Sequence, residues 1–518
     1  MYLLRLSHSR TRVLPLLSVL GCSAVADDTL NTPLPGEWLM FKRQLDHRGT
    51  ALDMSGEINE NNVCVAWERP VSGPQTRAAG GAVIAAVDGA MAVFVAVDGA
   101  CEDDGTGCIS GTSDDVPGKL WALNGAGEVL WSVRQDDPVA QFDPYAPMIA
   151  DLDADGEREI VVPALNKPYL FAFAAEGENH GLLEWMTELP EGRRSEGAPA
   201  AVNLDPSDAE LEILLGDDAD NAGAGERAAF YAISGSGNGI EATFRIPSRV
   251  ESDDLCVGGA KFDSSQPVAL QTDGAWTVWS GSWNGNVYAM EWGEQGLQQK
   301  WFHSLPLIES LPCSVPKVRS SASVADLDGD GTMELVFGWM HQEGQDGDLA
   351  SREEEATLQV LDAETGDSES YITVGDWKSS PSIADLNPNE PGLEIAGGRV
   401  GGFYSAKSNL DFDWESGPHG SDRIGQRSSP AITDIDGDGD LDVIVGAEGD
   451  EPGEDNGLVA FDGATGEEIW RVSFGDDGGL YKGASSSPAL GDIDGDGALE
   501  VVILGADGVL RAIDSRCD

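Results

Sequence analysis

The chain has 518 residues and sets 91 Asp and Glu against 31 Lys and Arg, a formal charge of −60 at pH 7. A field of that sign repels nucleic acid and anionic membrane surfaces, so neither is an expected partner, and the acids are spread along the chain as a surface property rather than gathered in a tail. With 65 Gly, 26 Pro and 41% hydrophobic residues the chain is turn-rich yet able to bury a core, which points to an all-β fold and away from disorder.

Residues 1–26 read as a targeting segment. Arg5, Arg10 and Arg12 precede the apolar run VLPLLSVL from Val13 to Leu20, which is too short to span a bilayer. Two cleavage readings compete. Val19-Leu20-Gly21-Cys22 reads as a lipobox that would leave Cys22 lipidated, and Ala24-Val25-Ala26 fits ordinary signal peptidase. The lipobox is preferred, because a cysteine directly follows the small residue that ends the apolar core. Either way the chain is expected outside the cytoplasm, at a bacterial surface, in the outer membrane or periplasm, or secreted, and it meets a membrane only through an N-terminal lipid. Residues 27–60 read as a linker and lead-in, and 61–518 as a single repeat domain. Six further cysteines, Cys64, Cys101, Cys108, Cys256, Cys313 and Cys517, form an even set in an exported chain, which predicts disulfides. No CxxC pair supports zinc.

One nine-residue pattern, Asp-x-Asp-x-Asp-Gly-x-x-(Asp/Glu), occurs four times. Carboxylates at positions 1, 3 and 5, a backbone carbonyl at 7 and a carboxylate at 9 can wrap one hard cation, while glycine at 6 allows the reversal. Calcium is therefore the expected cofactor. The candidate ligands are Asp151, Asp153, Asp155, Glu157 and Glu159; Asp326, Asp328, Asp330, Thr332 and Glu334; Asp434, Asp436, Asp438, Asp440 and Asp442; and Asp492, Asp494, Asp496, Ala498 and Glu500. An EF-hand is excluded, since its twelfth position must be a bidentate Glu and here it is Val162, Phe337, Val445 or Ile503. The runs EIVV, ELVF, DVIV and EVVI that follow read as buried strands, so the ion is expected in a turn between strands. A single copy could equally be a solvated turn; four with the same ninth acid favour the metal.

A second register runs deeper. Pro147, Pro199, Ala322, Pro381, Pro430 and Pro488 each stand four residues before the first position of a loop. That offset adds two degenerate loops, Asn203, Asp205 and Glu212, and Asp385, Asn387, Asn389 and Glu394, each with one extra residue before its last acid. They either bind an ion weakly or hold the turn by side-chain hydrogen bonds. After each loop come a strand, a loop of variable length, a second strand, a Gly-containing turn and a strand bearing an aromatic, as in LWALNGAGEVLW from 120 to 131. Four antiparallel strands at a period of roughly 45 to 60 residues make one blade of a β-propeller. Trp131, Trp185, Phe244, Trp301, Tyr371, Trp414 and Trp470 close seven repeats. The eighth runs out after VLRAID, and its missing strand is NVCVAWER at the other end, with Trp67. Eight blades closed by the chain ends are expected, with Cys64 and Cys517 paired; seven remain if a repeat around 82–133 or 257–303 is miscounted.

The segments SSPAITDIDGDGDLDVIVG and SSPALGDIDGDGALEVVILG are similar to FG-GAP (VCBS-type) repeats, the repeats of the integrin α-subunit propeller, and the resemblance spans most of residues 62–516. It implies a metal loop between the first two strands of a blade and ligand binding on the opposite face. EWLMFKRQLDHRGTA, residues 37–51, more loosely resembles the segment that leads into quinoprotein-like propellers.

On that opposite face the long connections 98–118, 338–356 and 446–457 are expected. Cys101 and Cys108 are expected to close an acidic loop, in which Glu102, Asp103, Asp104, Asp114 and Asp115 either take a cation or are simply solvated. Cys256 with Cys313 would tie adjacent repeats. Arg319, Lys378 and Arg427 each stand seven residues before a first-position Asp, with Lys482 and Arg194 near that register. These either balance neighbouring acids or line a pocket for a carboxylate, an acidic sugar or an acidic side chain of a partner protein. Trp276, Trp279 and Trp283 either stack sugars or fill the space between blades. No HExxH or GxSxG occurs. The expected function is a calcium-stabilised binding or adhesion module for a protein or polysaccharide partner; the alternatives on the same ring are a lyase acting on acidic sugars and a quinone-dependent dehydrogenase.

Overall fold

Eight sheets, each with an antiparallel four-stranded core, follow one another along the chain in the computed structural model and together make an eight-bladed propeller; Thr50–Ser55 adds a parallel strand to the inner edge of the seventh. The structure describes residues 33, 37–74, 81–110, 116–136, 140–143, 145–218, 228–246, 261–262, 266–272, 274–306, 316–341, 356–375, 379–399, 401–416, 427–449, 456–474, 482–484 and 486–517. Blade 1 is Val83–Val87, Ala90–Val97, Lys119–Asn124 and Val129–Arg134. Blades 2 to 7 repeat that order from inner strands Met148–Ala150, Ala200–Val202, Val268–Thr272, Ser323–Ala325, Ser382–Ala384 and Ala431–Asp434. Blade 8 takes Ala489–Gly491, Glu500–Leu504 and Val509–Asp514 from the end of the chain and its outer strand, Cys64–Pro70, from the beginning. Trp67 lies opposite Ala512, and the Cys64–Cys517 disulfide fastens that closure.

Burial explains the strand composition. The first three strands of a blade are covered on both faces by neighbouring blades, so Glu159–Pro163 (EIVVP) and Glu500–Leu504 (EVVIL) are buried throughout, whereas the outer Leu183–Glu188 is mostly exposed. Every outer strand carries a β-bulge at one equivalent place, leaving Leu130, Glu184, Glu241, Lys300, Glu369, Asp413, Ile469 or Ala66 as the extra residue. A bulge re-aims its neighbours. In five blades a tryptophan follows it and packs against the hairpin turn of the next blade: Trp67 against Gly127, Trp131 against Gly181, Trp185 against Gly237, Trp301 against Gly366 and Trp414 against Gly466. A Cβ on Gly466, whose φ is 71°, would come within 2.5 Å of the Trp414 ring, so only glycine fits beneath it. Phe244 and Tyr371 do not hold this place. Ala242 and Ser370 follow the bulge there: Ala242 lies against Gly296 of the next blade while the Phe244 ring meets Tyr288 of that blade at 5.6 Å, and Tyr371 is 70% exposed, so these two aromatics mark the right strand without sitting against the turn.

The small residues before each inner strand join blades at their inner ends. Ser321, Ser380 and Ser429 N–H donate to Ser380, Ser429 and Ser487 Oγ at 2.9, 3.0 and 3.0 Å, one blade to the next. The preceding serine serves its own blade: Ser428 Oγ accepts the Gly446 N–H at 2.9 Å and Ser320 Oγ accepts that of Gly338 at 2.6 Å.

The lead-in is built into the ring. Inner strands present an unpaired edge to the axis, and residues 38–49 run round it, offering one carbonyl to each blade they pass. Ile84, Ile149, Ala269, Val324, Ile383 and Ile432 N–H donate to the carbonyls of Trp38, Leu39, Leu45, Asp46, Arg48 and Gly49 at 2.8 to 3.0 Å, which engages blades 1, 2, 4, 5, 6 and 7. Positive φ at Lys42, Arg43, His47 and Gly49 turns this strap. At Gly49 a Cβ would lie 2.6 Å from Ser382 Oγ and 2.9 Å from the Pro430 carbonyl, so no other residue fits. Strap side chains fill the axis: Leu39, Met40, Lys42 and His47 are buried, Lys42 Nζ donates to Ser323 Oγ at 2.8 Å and to the Pro381 carbonyl, and burial holds its ammonium well below the usual lysine range.

Candidate metal centres and the opposite face

In blades 2, 5, 7 and 8 the turn between the first two strands is the nine-residue acidic loop, and all four loops fold alike. The N–H of position 2 (Leu152, Leu327, Ile435, Ile493) donates to the position 9 carboxylate of Glu159, Glu334, Asp442 or Glu500 at 2.6 to 2.8 Å. The Gly N–H at position 6 donates to position 1, Asp151, Asp326, Asp434 or Asp492, at 3.0 to 3.2 Å. Position 5, Asp155, Asp330, Asp438 or Asp496, turns one oxygen to the N–H of Glu157, Thr332, Asp440 or Ala498 at 2.7 to 2.9 Å. These bonds draw positions 1, 3 and 9 together: Asp151, Asp153 and Glu159; Asp326, Asp328 and Glu334; Asp434, Asp436 and Asp442; Asp492, Asp494 and Glu500 each offer carboxylate oxygens within 4.8 Å of one another. Each of these clusters could hold a metal ion.

Their electrostatics ask for a cation. Burial first, and then the neighbouring carboxylates, push Glu159, Asp442 and Glu500 up to about 8 and Glu334 up to about 7. Asp151 Oδ1 and Glu500 Oε1 are buried without a hydrogen-bond donor. A hard cation matches such an all-oxygen donor set and supplies what those oxygens lack. Two more acids face these loops from the outer-strand bulge. Glu184 is raised by burial and then by Asp153, Asp155 and Glu157, and Glu369 by burial and then by Asp362, Asp328 and Asp330. Sequence reasoning missed them, although an acid directly before the closing Trp, as in Glu184-Trp185, was a readable signal.

The degenerate loops make more hydrogen bonds of their own, while burial still pushes Glu212 up to about 7 and leaves Glu394 Oε1 without a donor. In blade 3 the N–H groups of Leu204 and Asp205 both donate to Glu212, at 2.5 and 3.3 Å, while Asn203 Nδ2 donates to the Asp208 carbonyl at 3.0 Å. In blade 6 Leu386 and Asn387 share Glu394 at 2.9 and 3.0 Å, Asn389 N–H donates to Asn387 Oδ1 at 3.3 Å, and the Asn387 amide donates to the bulge residue Asp413 at 2.9 Å. Lys407 brings its own cation, 3.0 Å from Glu390 and 3.6 Å from Asp413. Among the described residues neither loop gathers three acids, Asp205 and Asp385 included. Blades 1 and 4 replace the loop with short turns at Asp88-Gly89 and Gly274, and blade 4 carries Lys300 at the bulge.

On the opposite face cations stand before several inner strands, among acids such as Asp217, Asp218 and Glu196. Arg193 and Arg194 precede blade 3, Lys261 blade 4, Lys317 and Arg319 blade 5, and Arg427 blade 7. Arg194 pairs with Glu196 at 3.0 Å and with Asp218 at 3.1 Å. Lys378, Cys256, Cys313, Asp114, Asp115 and Cys22 lie outside the described residues, as does the Lys482 side chain. The Cys101–Cys108 disulfide is present, and its loop uses its charge internally: Asp103 accepts Lys119 at 2.6 Å and Ser132 at 2.7 Å, and Asp104 accepts Thr106 Oγ1 at 2.6 Å. Trp279 is buried and donates to the Ala363 carbonyl in the next blade at 3.1 Å; Trp276 is partly buried in the packing between blades 3 and 4; Trp283 alone of the three meets the cations. His47 is sealed in the strap, where burial and then Lys42 push it down to about 3, while His180 stacks on Trp131 and His303 bonds the Gly366 carbonyl at 2.9 Å.

Residues 434–503 match the FG-GAP-like repeat family. No curated protein matches in sequence. Among solved structures, a europium-containing methanol dehydrogenase superposes with a TM-score of 0.60 at 13% identity, covering 94% of this chain and 100% of that one. Quinohemoprotein alcohol dehydrogenase from Comamonas testosteroni gives 0.58 at 13% identity, covering 94% and 82%. At such identity the likeness is one of fold.

Proposed function

The chain is a β-propeller carrying FG-GAP repeats, and on that premise we propose that it is a calcium-stabilised, exported binding module whose ligand face lies opposite its acidic loops. The observation that supports the reading is that four carboxylate clusters gather at one end of the ring, whereas at the other end cations recur before the inner strands and are interleaved with acids. Asp151, Asp326, Asp434 and Asp492, with the acids at positions 3 and 9, hold one Ca²⁺ each; positions 5 and 7 brace the turn. The ion offsets repulsion among the loop's own carboxylates and so stiffens the strand-to-strand turn. Two disulfides fit an extracellular or periplasmic location, and no helix among the described residues is long and apolar enough to cross a membrane.

Two features favour binding over catalysis. The strap runs along the inner strands, and its buried Leu39, Met40, Lys42 and His47 take up space at the axis. His47 is sealed in the strap, His303 bonds the Gly366 carbonyl and His180 lies exposed against Trp131. An array of acidic and neutral glycans and extracellular proteins, probed with the calcium-loaded chain, tests the reading. A ligand retained in calcium and blocked by substitutions on the cationic face supports it; a ligand blocked only by substitutions in the acidic loops contradicts it.

A further inference from the structure

Trp283 stands in the connection between the second and third strands of blade 4, on the face away from the acidic loops. Three cations from separate stretches of chain gather on its one indole: Lys261 Nζ lies 4.0 Å from the ring centroid, Lys317 Nζ 4.1 Å and the Arg319 guanidinium carbon 4.6 Å. None can be farther from another than twice the longest of these distances, so like charges are crowded in a way the ring quadrupole alone does not offset. Backbone geometry builds the cluster. The Lys261 carbonyl accepts the Trp283 N–H and Ser282 Oγ, both at 2.9 Å, which fixes the blade 4 approach against the loop. Lys261 is 4% exposed and reaches Asp218 at 3.6 Å, but Asp218 already accepts Arg194 at 3.1 Å. Arg319 has no carboxylate partner among the described residues, and its Nε is buried without an acceptor. A buried guanidinium donor left unmatched is costly unless an anion meets it.

We propose that Arg319, with Lys261 and Lys317 around Trp283, is a subsite for the carboxylate of a uronic-acid residue in an anionic polysaccharide. The proposal rests on the reading that this face is the ligand face. A polysaccharide is favoured over an acidic protein segment because the register recurs in the sequence: Lys378 and Arg427, like Arg319, stand seven residues before a first-position Asp, and a polyuronate carries a carboxylate on every residue. The chain as a whole, at −60, repels that ligand, so attraction is local and screened over roughly 8 to 10 Å at physiological salt.

Calorimetric titration of the full, calcium-loaded chain with trigalacturonate, neutral galactotriose and triglutamate tests the subsite. The uronate trimer should bind and the neutral trimer should not. Arg319→Gln should weaken uronate binding at least tenfold, while Arg245→Gln, which removes an exposed pair with Glu191 on blade 3, leaves it unchanged. Unchanged melting in calcium certifies each variant, and Lys317→Gln replaces Arg319→Gln should the latter melt early. Equal affinity for both sugars, or uronate affinity untouched by both Arg319→Gln and Lys317→Gln, overturns the proposal. So does triglutamate binding through Arg319 when trigalacturonate does not bind. If the array yields a ligand indifferent to Arg319, only the subsite falls; if the calcium-loaded chain binds nothing on it, the ligand-face reading falls as well.

Discussion

Blades 5 and 6 sit side by side with the same strand order and the same small-residue approach, yet their first turns solve the same electrostatic problem in opposite ways. In blade 5, Asp326, Asp328 and Glu334 converge into a cluster that could hold a metal ion. In blade 6 one inserted residue and two asparagines give the turn internal donors, Glu394 takes two backbone N–H groups, and Lys407 supplies a positive charge. The fold needs a stiff turn there, and metal is one of two ways to obtain it.

Chelation should separate the two designs most strongly. With free calcium about a hundredfold above its dissociation constant, each ion adds about 2.7 kcal/mol, and a chain of this size unfolds with an entropy of about 1 kcal/mol per degree. Four sites then correspond to a melting temperature about 10 °C lower in EDTA, read by calorimetry; an unchanged value would break the comparison, because every turn would then resemble blade 6.

The pH dependence should invert with metal. Unfolded carboxylates titrate near 4, but in the metal-free fold Glu159, Glu334, Asp442 and Glu500 hold protons up to about 7 or 8. The folded state therefore binds more protons at these four groups between those limits, so their contribution to metal-free stability is fully present near pH 4 and is lost as pH rises through 8. Saturating calcium displaces those protons, and the decline from pH 5 to 8 should vanish. Urea titrations across that range with and without calcium check the sign.

A single isosteric change sharpens the contrast. Glu500→Gln keeps an acceptor for the Ile493 N–H but removes the buried charge; in calcium it should lose one ion and about 2 to 3 °C, and in EDTA it should melt at or above the wild type. Glu394→Gln in blade 6 should lose no ion and no stability in either condition. The smallest effect is expected from Lys407→Gln: an exposed ion pair contributes little, so melting should move by about one degree or less and the response to EDTA should not change.

Much of this architecture was legible because it repeats. The four-residue offset located six first turns, the missing outer strand identified the eighth blade, and Cys64 with Cys517 followed from closure. Other features carry no periodic signal. Residues 38–49 have neither strand alternation nor helical spacing, since their pairing is one carbonyl per blade around an axis; nothing in EWLMFKRQLDHRG announces that. The serine register was visible, but its bonds join residues about 50 to 60 positions apart in neighbouring blades. Trp283 looked like one tryptophan among three, and only the fold brings Lys261 and Arg319 to it.

The central claim is that four turns hold calcium and two hold themselves. Native mass spectrometry of the folded chain in saturating calcium tests it most directly: four ions per chain are expected, and three for Glu500→Gln. Six ions, or none, would contradict the account.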